Sequence, residues 1–129
     1  MSDSVLDASA VLALLERERG DEFVRSALDE GNAFISTVNV TEVLTKLMQH
    51  GLSADDADDD LESLNLERIP FSLSSAVRAA ALSATTKRFG LSLGDRACLA
   101  LAIELGHRAI TTDRAWGQLD LSVPVVLAR

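Results

Sequence analysis

Ser4-Val5-Leu6-Asp7-Ala8-Ser9-Ala10-Val11-Leu12-Ala13-Leu14-Leu15 is the stretch that decides the fold. Val5 and Leu6 form a short apolar run of strand character. After Asp7 the apolar residues Ala10, Val11, Leu14 and Leu15 recur at helical spacing. A strand that hands over to a helix through one residue begins a βα unit. Repeated units of that kind build a parallel sheet covered by helices.

The alternation continues along the chain. Gly20 separates the first helix from a second, with Phe23, Ala27 and Leu28 expected inward and Gly31 at its C-terminal cap. Ala33-Phe34-Ile35 reads as the second strand. The stripe Val40, Val43, Leu44, Leu47 and Met48 then predicts an amphipathic helix ended by Gly51. Ser53 and Asp56 resemble a capping box opening a helix with Leu61 and Leu64 on one face. Leu66 to Ile69 suits a third strand, Ser72 to Phe89 a long helix stopped by Gly90, and Gly94-Asp95 to Gly106 another helix. Ala109-Ile110-Thr111 and Val123 to Leu127 complete the strands. The expectation is α/β: a three-layer α/β/α sandwich with a mainly parallel five-stranded sheet, in the order βααβααβααβ(α)β.

With 129 residues, 47% hydrophobic and 25% charged, the chain suits one globular domain over 1–129. Its longest apolar stretch, Ala97 to Ile103, is far below the ~20 residues that cross a bilayer, so no membrane partner is expected. Met1-Ser2-Asp3-Ser4 lacks the basic start of a signal peptide, which makes the cytoplasm the expected location. Cys98 is the only cysteine, which excludes an internal disulfide and a cysteine-based zinc site; its apolar surroundings read as core. The net charge of −8 is the wrong sign for binding nucleic acid through bulk charge. Five aspartates lie in one run, Asp55-Asp56-Ala57-Asp58-Asp59-Asp60, which can face away from a substrate. Aromatics at 4%, with no Tyr, argue against a base-stacking platform.

Asp7 directly follows Val5-Leu6, and Asp113 follows Ile110-Thr111-Thr112. In open α/β sheets, ligands bind beyond the carboxyl ends of the strands where strand order reverses. If the first and fourth strands are neighbours, these two carboxylates face one crevice. Glu42 lies in the first turns of the helix after the second strand, and Asp95 at the start of the helix opening Ser92-Leu93-Gly94. Right-handed crossovers bring such helix starts over the same edge.

Each acid also has a simpler reading. Asp7 and Asp113 can cap the helices that follow them. Glu42 can pair with Lys46 at i, i+4, and Asp95 can serve a helix dipole. Together the four weigh more than singly. Clustered carboxylates repel and need cations or protons between them. Oxygen ligands with no nearby His or Cys suit Mg²⁺ or Mn²⁺, and phosphodiester hydrolysis is the natural chemistry.

At these residues the sequence resembles the PIN domain, and within it the VapC-type toxins of bacterial toxin–antitoxin pairs. The matching segments are Val5-Leu6-Asp7-Ala8-Ser9-Ala10, Thr41-Glu42-Val43, Leu91-Ser92-Leu93-Gly94-Asp95 and Ile110-Thr111-Thr112-Asp113, in order along essentially the whole chain. The resemblance implies an endoribonuclease acting on structured RNA, with Asp7, Glu42, Asp95 and Asp113 binding Mg²⁺ or Mn²⁺ and positioning water. It implies hydroxyls of Ser9 and Thr112 supporting the metal shell, a homodimer, and a cognate antitoxin that blocks the site. Phe71-Ser72-Leu73 lacks an acid that some relatives place there. Arg96, Arg114 and Lys46 flank the acids and are candidates for RNA phosphate contacts, as are Lys87 and Arg88; the reading as solvated surface cations is at least as good for Lys87 and Arg88.

Other signals lead elsewhere and fit less well. Asp56 to Glu67 places acids at several EF-hand positions, but Leu61 stands where that loop needs Gly. An aspartyl phosphatase would want an acid where Ser9 stands. His50 and His107 read as structural or exposed, and Trp116 as packing the turn after Asp113, with base stacking as its other role. A housekeeping RNA-processing nuclease and a catalytically silent binding module of the same fold are the alternatives to a toxin.

Overall fold

The computed structural model describes residues 2–129. β1 (Ser4–Leu6) passes through Asp7 into α1 (Ala8–Leu15), followed by α2 (Asp21–Glu30) and β2 (Ala33–Ser36). α3 (Thr37–Gln49) and α4 (Ala54–Glu62) lead to β3 (Glu67–Ile69). α5 (Leu73–Thr86), a 3₁₀ turn (Lys87–Phe89) and α6 (Leu93–Leu105) follow, then β4 (Arg108–Thr111), a second 3₁₀ turn (Arg114–Gln118) and β5 (Val125–Leu127). The predicted element order is the observed one.

The sheet runs β3-β2-β1-β4-β5, and every neighbouring pair is parallel. From β1 the chain builds outward through β2 and β3, then returns to add β4 and β5 on the other side. The strand order therefore reverses between β1 and β4, which are direct neighbours with Leu6 opposite Ile110. A crevice at that reversal is where such sheets bind ligands.

Strand pleating divides the core in two, because successive side chains point to opposite faces. Leu6, Ile35 and Ile110 pack with Val11, Leu14, Val24, Val43, Leu47 and Leu61, drawn from α1 to α4. Val5 and Ala109 pack with Cys98, Leu99, Leu101 and Trp116, from α6 and the second 3₁₀ turn. Helices thus cover both faces. Trp116 is fully buried, as the reading of a packed turn expected.

Two predicted core positions are corrected. Phe23 is 39% exposed, and Val24, one residue on, takes the inward place on α2 at 0%. Met48 is 47% exposed, so the buried stripe of α3 ends at Leu47. Both side chains sit at the border of an apolar stripe, where 100° per residue decides burial. The acid run begins α4: Ser53 accepts a hydrogen bond from the Asp56 amide, and Asp58 pairs with Arg68 of β3. Gly31 caps α2 in extended backbone, and the close approach of Ser2, whose O would stand 2.4 Å from a Cβ, is what requires glycine there. Among the described residues no helix is long and apolar enough to cross a membrane.

Candidate active site

Asp7 is placed by the β1–β4 register. Its amide donates to the Ile110 carbonyl, so its side chain stands beside that of Thr111 at the carboxyl ends of the two central strands. The carboxylate is 3% exposed and surrounded by donors. Thr111 Oγ1 donates to Oδ2 at 2.5 Å, the Ala10 amide to Oδ1 at 2.8 Å, and Ser9 Oγ reaches both oxygens at 2.8 and 2.9 Å. The Ala10 bond makes Asp7 the N-cap of α1. Burial raises its pKa, the bonds from Thr111, Ala10 and Ser9 lower it, and the charge of Asp95 raises it again. The balance lies at about 6.

Glu42 is held from α3. Asn39, one turn earlier and 1% exposed, donates through Nδ2 to Glu42 Oε1 at 2.8 Å and to the Gly94 carbonyl at 3.0 Å. With both neighbours acceptors, the amide orientation is fixed, and Asn39 Oδ1 is left buried without a partner. The Glu42 carboxylate lies directly against Gly94: a Cβ there would stand 2.2 Å from Oε2. One asparagine and one glycine thus join α3 to the first turn of α6.

Asp95 completes a capping box on α6. Ser92 Oγ accepts from the Asp95 amide at 3.2 Å, while Asp95 Oδ2 accepts from the Ser92 amide at 2.9 Å. Its helix-terminal role is real, and its charge also reaches the crevice. The negative charges of Asp7, Asp95 and Glu42 all act on the buried Cys98 thiol, which burial first and these charges next push up.

Glu42 thus lies against the helix turn that carries Asp95, and the charge of Asp95 acts on Asp7. Asp113 is disposed differently: it is exposed and caps the second 3₁₀ turn, its Oδ1 accepting from the Ala115 amide at 3.0 Å. It connects to the others through Thr111, whose Oγ1 accepts from the Asp113 amide at 3.0 Å.

The donor set is all oxygen. Among the described residues no three His, Cys, Asp or Glu side chains already stand as a metal cage. Mg²⁺ needs none, because it commonly keeps several waters and takes one or two carboxylates plus substrate phosphates. The charges of these acids, with Asp7 buried under the field of Asp95, fit a hard divalent cation.

A model of the PIN domain matches residues 4–121. The chain belongs to the PIN domain family. Among curated proteins none matches the sequence. Solved structures do resemble this PIN domain across nearly its whole length. A chain of the DNA-bound VapBC from Salmonella typhimurium superposes with TM-score 0.76 at 16% identity, covering 100% of both chains. A toxin–antitoxin complex from Klebsiella pneumoniae gives 0.73 at 20%, covering 98% of each. VapBC-5 from Mycobacterium tuberculosis gives 0.64 at 20%, covering 98% of this chain and 99% of that one. At these identities the likeness shows the shared fold.

The remaining predicted residues of the PIN domain are placed as follows. Ser9 touches Asp7. Thr112 reaches Ser9 Oγ through its backbone amide at 3.0 Å, whereas the hydroxyl on Asp7 is that of Thr111. Strand alternation explains the difference, since Thr111, paired beside β1, turns its side chain toward Asp7 and its neighbour turns away. Arg96 Nη1 donates to the Ala79 carbonyl at 2.9 Å. Lys46 and Arg114 are exposed, and among the described ion pairs Glu42 has none with Lys46. Thr111 and Asn39 are the site residues that motif reading missed. Asn39 had a signal: it shares the i, i+4, i+8 stripe of Val43 and Leu47, where a polar side chain must find partners.

Proposed function

We propose that this PIN domain is a divalent-metal-dependent endoribonuclease and the toxin of a toxin–antitoxin pair. The observation that supports this reading is geometric: Asp7 stands at the carboxyl end of β1 beside β4, and Asn39 and Gly94 hold Glu42 against the helix turn that carries Asp95. Asp113, one strand end away, is the fourth ligand if its side chain leaves the Ala115 amide. The fold shared with chains of solved toxin–antitoxin complexes supports the toxin reading.

Mg²⁺ or Mn²⁺ bound among these acids would lower the pKa of a coordinated water and neutralise charge developing on a phosphodiester. The chain's own residues prepare that place. Ser9, Thr111 and the Ala10 amide fix Asp7 in one orientation, so that it meets a cation without rearranging. Asn39 does the same for Glu42. Ser9 and Thr112 are assigned here to support of the metal shell, through the Ser9 hydroxyl and the Thr112 amide that binds it. Arg96, Arg114 and Lys46 are assigned to the RNA backbone. The cognate antitoxin would cover this edge, and the active form is expected to be a homodimer.

Cleavage of structured RNA with Mg²⁺, with EDTA, and by Asp7→Asn tests the reading. Activity that survives EDTA or the substitution would refute the mechanism. Light scattering at micromolar concentration checks the dimer; a monomer would remove that part of the assignment.

A further inference from the structure

A second surface feature lies beside the carboxylates. A cavity of about 850 Å³ opens between the end of α5, the Lys87–Phe89 turn and the segment Gln118–Leu121. Another of about 530 Å³ adjoins it, sharing Ala84, Thr86 and Lys87 and extending to Leu91 and Arg96. Together they line one stretch of surface, a groove around Lys87. One end reaches Arg96, the residue after Asp95. Its far wall continues the 3₁₀ turn that Asp113 caps. None of the four acids lines either cavity, and the groove is related to them through two of the elements that carry them, α6 and the turn after Asp113.

Its charge runs against that of the chain. Lys87, Arg88 and Arg96 line the groove, against one acid, Asp120. Among the described residues none of these three cations pairs with a carboxylate within 4 Å, although acids outnumber bases 20 to 12 in the sequence. Of the nine cations elsewhere in the sequence, three, Arg68, Arg78 and Arg108, are so paired among the described residues. The groove stands out by gathering three cations against one acid. Arg88 is ordered by stacking over the Phe89 ring at 4.8 Å, which fixes its guanidinium without neutralising it. A groove lined by three cations and one acid, on an acidic protein and beside the elements that carry Asp95 and Asp113, suits a polyanion.

The geometry points to this groove as the track for a single RNA strand, with Lys87 and Arg88 holding the phosphates of nucleotides beyond the scissile bond. The inference rests on the ribonuclease reading and adds to it the path of the substrate. The volumes lie within the ~300–1,000 Å³ of ordinary ligand sites. A strand has a phosphate at every nucleotide, so adjacent cations along a groove meet successive charges.

The test uses the full chain carrying Asp7→Asn, to prevent cleavage, with Mg²⁺ present. Its probe is a labelled RNA hairpin carrying a single-stranded tail of mixed sequence, about 20 nucleotides long. Lys87→Glu/Arg88→Glu should weaken binding by tenfold or more and reduce the slope of log Kd against log salt by about 1.4, the value for two phosphate contacts to a single strand. Lys87→Gln/Arg88→Gln should show a smaller loss in the same direction, which guards against a folding defect in the charge reversal. Arg25→Glu, in a separate cavity lined by Leu28, Asn32 and Glu67, should change affinity less than twofold. With Asp7 intact, the groove variants should raise KM and leave kcat and Mn²⁺ affinity unchanged. Unchanged RNA affinity in a protein that still cleaves RNA overturns the groove and leaves the nuclease standing. Loss of binding to an acidic partner protein, with RNA affinity intact, makes the groove a protein-docking surface and likewise overturns it. If the unmodified chain neither binds nor cleaves RNA, both readings fall.

Discussion

At the scale of single residues, the site depends on two contacts that place Glu42. Gly94→Ala would put a methyl group 2.2 Å from Glu42 Oε2. The atom that must yield is the end of a flexible side chain, and Ala suits a helix better than Gly by about 1 kcal/mol. The expected outcome is an unchanged or higher Tm with Mn²⁺ affinity reduced roughly 10–100-fold, the usual effect of losing a ligand's support. Calorimetric titration beside thermal melting checks the split. Asp7 makes a pH prediction. Its pKa is raised from 3.8 to about 6, so the metal-free folded state holds a proton more tightly than the unfolded state. Its contribution is therefore fully present below pH 3.8 and lost as pH rises through about 6, for a cost of about 3 kcal/mol. In EDTA the stability of the wild type relative to Asp7→Asn should fall across that interval. Denaturation of both at pH 4 and pH 7 measures it; a constant difference would contradict the burial argument. Much of this was visible in the sequence, because strand ends and helix starts fix where Asp7, Glu42 and Asp95 stand. Thr111 was not, since it and Thr112 are chemically alike and only the β1–β4 register chooses between them. Asp113 was legible as a strand-end acid, but its bond to the Ala115 amide depends on a turn that the sequence leaves open.

At the scale of elements, α6 combines a structural and a chemical duty in its first turn. Ser92 and Asp95 cap each other's backbone, yet only Asp95 brings charge to the crevice. The two substitutions should separate these duties. Ser92→Ala removes the acceptor of the Asp95 amide and should cost about 1 kcal/mol of stability with little change in metal affinity. Asp95→Asn keeps an oxygen for the Ser92 amide and relieves repulsion on Asp7, so the metal-free Tm should hold or rise while Mn²⁺ affinity falls. Chemical denaturation and Mn²⁺ titration of both variants would reveal the opposite pattern if the capping role alone mattered. Most element boundaries followed from apolar spacing and glycine stops such as Gly90 and Gly106, both at φ 70°. The errors fell on Phe23 and Met48, at stripe borders where neighbouring helices, invisible in one sequence, decide which side chain is covered.

At the scale of the whole molecule, the sheet order separates two charge regions. The aspartate run lies on α4, which leads into the edge strand β3, while the groove wall Gln118–Leu121 leads into the opposite edge strand β5. An acidic chain can thus keep its surplus negative charge away from a basic track. The alternation of strands and helices announced the layers, but which strands are neighbours rests on long-range pairing that no local pattern encodes. The same arrangement has a consequence for Cys98. Its thiol is fully buried under three carboxylates that hold it protonated, so neither alkylating nor oxidising reagents meet a thiolate in the folded state. The chain carries one such group and no other, which makes it a built-in clock. Modification by iodoacetamide should advance only as fast as the domain opens, and Mn²⁺, by stabilising the closed form, should slow the clock. Mass spectrometry over time would read it, and rapid labelling of the native protein would show that the core around the acids breathes on its own.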